Sequence, residues 1–276
     1  MLLLLLLALG QAAPPPAVAV DAGPPPDPLA APRALFERRL DPLALDQAIA
    51  QLDFLTGPEA RLLGARAHRF RAQAFELRRR PLKREQGIAD LQAARSRALE
   101  AWDGVQPGSS VKFLLADPAP LAAAGPPSLP ALAELAQDDL ALAGWQKPIP
   151  AAALLKEALA VATRGEALSP DFDGAVFRRV RGVALAALPP LAGGDLEAAR
   201  FELERAIVVA PLELEPRVDL AARYAVKAQD KALFHAALES ALHLDVEALP
   251  ALVPEQRLAR ARALALLRHE RELFKG

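Results

Sequence analysis

No cysteine occurs among the 276 residues. That excludes disulfides, thiolate metal sites, cysteine nucleophiles and attachment of lipid to an N-terminal cysteine. Aromatics are scarce, at 5% of the chain with one tyrosine and two tryptophans, and β-branched residues are few, which argues against extended sheets. Neither sign of charge is in excess: 33 Lys and Arg face 34 Asp and Glu, for a formal net charge of -1. The chain therefore lacks the broad basic face needed to coat nucleic acid. What is plentiful is Ala, Leu, Arg and Glu, all strong helix formers. With 53% hydrophobic residues there is material for a sizeable core, and the expected class is all-α.

Motifs that carry chemistry are missing too. There is no Gly-x-Ser-x-Gly, phosphate loop or dinucleotide fingerprint, and Gly193-Gly194 has neither a strand before it nor Lys-Ser/Thr after it. The four histidines (68, 235, 243 and 269) repeat no metal-ligand spacing. Asp138-Asp139, read as lying near a loop, is an adjacent pair, and on a helix neighbours point roughly 100° apart, so the two carboxyls do not converge. No enzyme, no metal and no cofactor is expected.

The N-terminus opens with an unbroken apolar run, Leu2 to Leu9, far short of the about 20 residues that span a bilayer. Residues 1–13 read as a signal-like leader with a small-residue region after it, although nothing basic precedes Arg33. A greasy tail without a targeting role is the alternative. Ala8-Leu9-Gly10 resembles the run before a lipidated cysteine, but position 11 is Gln, so a lipobox anchor cannot form there. The expected location is exported, periplasmic or at the cell envelope. Residues 14–33 hold two Pro-Pro-Pro triplets plus Pro28 and Pro32, a composition that reads as a disordered linker. Residues 34–276 are expected to form a helical-repeat domain with an irregular insertion at about 105–150, in which prolines interrupt two short helical pieces, the second from Leu129 to Trp145.

The stretch from Gly193 to Pro211 organises that domain. It offers a glycine turn, Asp195 as N-cap, a helix with Leu196, Ala199, Leu203, Ala206, Ile207 and Ala210 on one face, and Pro211 as the stop. Ala199 and Ala206 let a second helix approach closely, and Gly194 is expected in a left-handed turn. Turn, small-residue helix and terminal proline form the second half of a tetratricopeptide-like repeat. Endings at Pro170, Pro211 and Val246 suggest degenerate repeats of antiparallel helical hairpins, stacked into an α-solenoid. Asp230 is expected to cap a helix that turns Phe234 inward, and the run 263–267, apolar nearly all round, to pack on more than one side.

Candidate contact residues follow from exposure and charge. Trp145 and Lys147, in the irregular insertion, could meet a ligand or partner, or Trp145 could plug a gap between hairpins. Arg178, Arg179 and Arg181 lie on a helix expected to line a concave groove and could clamp a carboxylate; Tyr224 is a further candidate although its helix turns it inward. The arginines at 66, 69, 71, 78, 79 and 80 read either as a basic face for an anionic partner or as cations paired with acids on neighbouring helices.

A resemblance rests on several elements in order. They are Pro189-Pro190-Leu191-Ala192-Gly193-Gly194-Asp195, then Ala199-Arg200 and Arg205-Ala206, Ala222-Arg223-Tyr224-Ala225, Gln229-Asp230-Lys231-Ala232-Leu233-Phe234, and the stretch from Ala261 to Phe274. Together they resemble the T component of tripartite ATP-independent periplasmic (TRAP) transporters, over about residues 150 to 274 and more loosely back to about 40. The resemblance implies an exported, non-catalytic, all-helical accessory protein. It implies association with the periplasmic solute-binding protein, with a small solute as a further ligand, and a homo-oligomer, a trimer in the family's pattern. Members are usually lipoproteins; with no cysteine here, a soluble or signal-anchored form, with peripheral membrane association, is the expectation. The alternative reading is a generic tetratricopeptide-repeat adaptor that holds a peptide or protein partner in its concave groove.

Overall fold

A computed structural model describes residues 27–77, 84–109 and 114–275. The leader, most of the proline-rich linker, and Arg78, Arg79 and Arg80 lie outside the described residues. Within them every regular element is helical. The main helices are α1 (Ala30–Glu37), α2 (Pro42–Leu52), α3 (Pro58–Leu77), α4 (Arg84–Val105), the short α5 (Ala119–Ala123), α6 (Leu129–Ala143), α7 (Pro148–Leu168), α8 (Phe172–Ala187) and α9 (Leu196–Val209). A longer helical stretch follows, α10 (Glu215–Asp219) continuing through a π-helical turn (Leu220–Ala225) into α11 (Val226–Ala228). The chain closes with α12 (Lys231–His243), α13 (Val253–Arg268) and α14 (Glu270–Leu273).

Local chemistry explains most boundaries. Asp41, Asp195 and Asp230 stand at N-caps, accepting from the N–H groups of Leu43, Ala198 and Leu233. Pro42 and Pro148 occupy first-turn positions, where the missing N–H costs nothing. The same logic moves the start of the fold: α1 begins at Ala30, inside the stretch read as linker, with Pro32 in its first turn and buried. α8 opens on three consecutive left-handed residues, Asp173, Gly174 and Ala175, with φ of 47, 66 and 60°.

Consecutive helices pack on one another, α3 with α4, α6 with α7, α7 with α8 and α8 with α9. The largest cores lie between α3, α4, α6, α7 and α8, built on Trp102, Leu132, Leu135 and Phe177, and between α8 and α13, built on Leu203, Leu214, Phe234 and Leu238. At the N-terminal end Phe36, Leu45, Leu52 and Phe70 form a third.

Two features depart from the pattern read in the sequence. The region expected as an irregular insertion contains α6, whose Leu132, Leu135, Ala136, Asp138 and Asp139 are fully enclosed. It is a central strut, because α3, α4, α7 and α8 all pack against it. The apolar run 263–267 packs on one side only: Ala263 is buried, while Leu264 is exposed. The chain also meets itself end to end. Arg39 bonds both oxygens of Glu255 and the carbonyl of Ala251, and Leu258 of α13 packs against the N-terminal core.

Candidate interaction site

The turn before α9 holds two glycines with different tasks. Gly193 has φ +98°, a left-handed conformation with nothing within 4 Å of where a Cβ would stand. Gly194, expected in the left-handed position, does not occupy it. There a Cβ would lie 2.0 Å from the carbonyl oxygen of Leu188, so that glycine is required by close backbone approach. Gly194 N–H donates to Pro189 O at 3.0 Å and Asp195 N–H to Leu185 O at 3.2 Å, which docks the turn on the end of α8. Pro189 and Pro190 lead the chain into a short 3-10 turn, and Pro211 follows the end of α9. Ala199 and Ala206 are fully buried. The close approach they permit is completed by Gly182 of α8, where a Cβ would meet Leu203 Cγ at 2.6 Å. An isolated glycine within a helical pattern is the signal that marks it. Phe234 is fully buried and meets Phe274 edge to face.

The contact candidates do not converge. Trp145 is half-buried against Ile88, Leu91 and Leu142. Its ring fills the space a side chain at position 87 would need, 2.5 Å from the Cβ position of Gly87. Its carbonyl accepts from Arg84 Nη2 at 2.6 Å. Lys147 is exposed at the N-cap of α7. Tyr224 lies buried on the π-helical turn, with the Arg200 guanidinium 5.8 Å from its ring centroid. The three arginines of α8 are engaged inside the fold. Arg178 and Arg181 share Glu166 of α7 and Glu202 of α9, at 2.7 and 3.3 Å for Arg178. Arg179 donates to Asp219 Oδ2 at 2.9 Å and to Gln137 Oε1 at 3.0 Å.

The same holds for the arginines of α3. Arg66 and Arg69 pair with Glu134, Arg69 also with Asp138 at 2.6 Å, and Arg71 with Asp90 and Asp46. They serve as partners of acids on neighbouring helices. Asp138 and Asp139 are not near a loop: both lie in the body of α6 with no exposed surface. Burial opposes ionisation of Glu134, but Arg69 and Arg66 outweigh it and hold that carboxyl below the usual range. Burial dominates at Asp138, where Arg69 opposes and Glu134 adds, and pushes its carboxyl up to about 7. Asp219 is held low, since Arg179, Arg262 and Arg223 overcome its burial. These enclosed acids escaped the sequence reading because charge on an amphipathic helix is ordinarily read as its solvent face.

Among the described residues, two of the surfaces open to other molecules are apolar. One is a cleft of about 540 Å³ at the N-terminal end, walled by Leu29, Leu55, Pro58, Leu62, Val105 and Pro130 with Thr56 and Glu59 as its polar members. The other is the outer face of α9, where Phe201 and Val208, two turns apart, are 59% and 65% exposed; Leu212, in the turn after the helix, is also exposed. Leu191, on the turn before α9, is fully exposed. Among the described residues no group of three or more His, Asp or Glu side chains could hold a metal ion, and no helix is long and apolar enough to cross a membrane.

The folded chain is thus a helical scaffold whose internal charges are largely consumed in holding helices together. The family model described as TRAP transporter T-component (TAtT) matches residues 141–274, from the end of α6 through α14. Over that region the chain is similar to the TRAP transporter T-component family, whose proteins are non-catalytic. A comparison with curated proteins finds no match.

Proposed function

We propose that this protein is an exported accessory component of a TRAP-type transporter that docks the periplasmic solute-binding protein. The outer face of α9 is the contact surface. The observation that carries this reading is the coincidence of the family match with two exposed apolar side chains, Phe201 and Val208, on the helix that follows the Pro-Pro-x-x-Gly-Gly-Asp turn. Large apolar side chains left in water two turns apart on one helix suit a partner that covers them. The paired packing of consecutive helices supports degenerate tetratricopeptide-like hairpins in a solenoid as the scaffold. Family likeness further supports a homo-oligomer, with a trimer as the expected form, which sedimentation at defined concentration measures.

The cysteine-free background makes a direct test simple. A cysteine placed at Phe201, carrying a photo-crosslinker, should capture the solute-binding subunit of the cognate transporter in envelope extracts. Phe201→Glu combined with Val208→Glu should abolish co-purification while leaving the helical spectrum intact. Capture that survives both charges would remove α9 as the interface. Absence of any solute-binding subunit among crosslinked products would overturn the partner assignment. A groove adaptor using Arg178, Arg179 and Arg181 fits less well, because all three already bind Glu166, Glu202 and Asp219.

A further inference from the structure

Around α6 the buried charges fall into two groups with different balances. On one side Arg66 and Arg69 of α3 face Glu134 and Asp138, two cations for two carboxyls. On the other side Arg95 of α4 alone serves two acids. Its Nε reaches Asp139 Oδ1 at 2.6 Å, and its Nη2 reaches Glu157 Oε1 of α7. Asp139 is fully enclosed and Glu157 nearly so. Asp139 Oδ2 has no hydrogen-bond partner. The remaining neighbours do not restore the balance: Asp138 adds negative charge, and Arg179 of α8 turns to Gln137 and Asp219.

A buried guanidinium neutralises one carboxylate, and a second unpaired one in the same enclosure is costly. The partnerless Oδ2 is where a proton removes that cost. We propose that Arg95, Asp139 and Glu157 form a proton-holding joint that fastens the N-terminal helices to the family-matched half of the chain, and that loosens when the shared proton is lost. Burial raises both carboxyls above their ordinary range against the pull of Arg95, and at Asp139 the charges of Glu157 and Asp138 add to it. The sign follows from linkage. A group whose folded value is raised contributes stability that is fully present below its unfolded value and is lost as pH rises through the folded one. The joint is therefore firm in mildly acidic surroundings and weakens toward alkaline ones. At the acid extreme Glu134 and Asp219, held low by their arginines, and Asp90, held low by His68 and Arg71, lose their own contribution.

Thermal unfolding of the full chain and of Asp139→Asn, Glu157→Gln and the double variant, between about pH 5 and pH 9, tests the proton count. Each single variant should match the parent near the acid end and melt several degrees above it at the alkaline end, because either amide removes the surplus charge. The double variant should melt below the parent at every pH, since it leaves Arg95 buried without an anion. The slope owed to Asp138, and to Glu213, whose carboxyl burial also pushes up to about 7, stays in all of them. Single variants that run parallel to the parent across pH, a double variant equal to the sum of the singles, or an Asp139→Asn chain that fails to fold would each overturn the joint.

Discussion

Replacing Gly194 with alanine places a methyl group 2.0 Å from Leu188 O, 2.6 Å from Leu188 C and 3.0 Å from Pro189 C. All three are backbone atoms, and the Leu188 carbonyl is further held by Lys227 Nζ at 3.1 Å. Relief therefore requires the turn to lift from the end of α8, stretching the bonds from Gly194 N to Pro189 O and from Asp195 N to Leu185 O. Overpacking against an unyielding wall costs about 1–3 kcal/mol, and the disturbed cap of α9 adds about 1 kcal/mol. Gly194→Ala should then destabilise by roughly 2–4 kcal/mol, a fall in Tm of roughly 4–8 °C for a chain of this size. Gly193→Ala meets no atom within 4 Å and suffers only from its φ of +98°, about 1–2 kcal/mol. Asparagine, which tolerates left-handed backbone, should recover part of that loss at 193 and none at 194. Far-ultraviolet circular dichroism against temperature and urea ranks the variants. A Gly194→Ala chain that melts with the parent, or a larger loss at 193 than at 194, would refute the assignment of the two glycines.

Other expectations follow from the same geometry. Arg39→Met removes the bidentate contact to Glu255 and the bond to Ala251 O; because Glu255 is partly exposed, the loss should be about 2 kcal/mol, read as a lower urea midpoint. Gly87→Ala should push the Trp145 ring outward, shifting tryptophan emission to longer wavelength and raising acrylamide quenching, while the enclosed Trp102 reports no change. Burial pushes the Glu213 carboxyl up to about 7, opposed by Arg179 and aided by Asp173 and Glu215. Its contribution is lost as pH rises through that value, so Glu213→Gln should flatten the decline in stability above neutrality, measured by urea unfolding at a series of pH values.

The helices themselves were legible in the sequence because their signals are local. Asp195 and Asp230 are N-caps as read, and α7, α8 and α9 begin or end within a few residues of their proline and glycine signals. The repeat helix displayed its small residues, Ala199 and Ala206, though Gly182 on the opposing helix completes the contact. The charged interior was not legible. Glu134, Asp138, Asp139 and Glu157 sit on helices whose apolar stripes look ordinary, and only tertiary packing decides which polar face is enclosed. Arg178, Arg179 and Arg181 looked free for the same reason: their partners Glu166, Glu202 and Asp219 come from other helices. Burial of α6 within a proline-interrupted stretch was hidden because its moderate amphipathicity gives no hint of neighbours on four sides.

The contact between Arg39 and Glu255 joins positions 216 residues apart. A chain emerging from the ribosome exposes the guanidinium long before its carboxylate exists, so the first helices wait, half-finished, until nearly the whole polypeptide has been made. Any event that removes α13, such as premature termination or proteolytic clipping, should be felt at the opposite terminus. The last helices act as a belated fastening for the first.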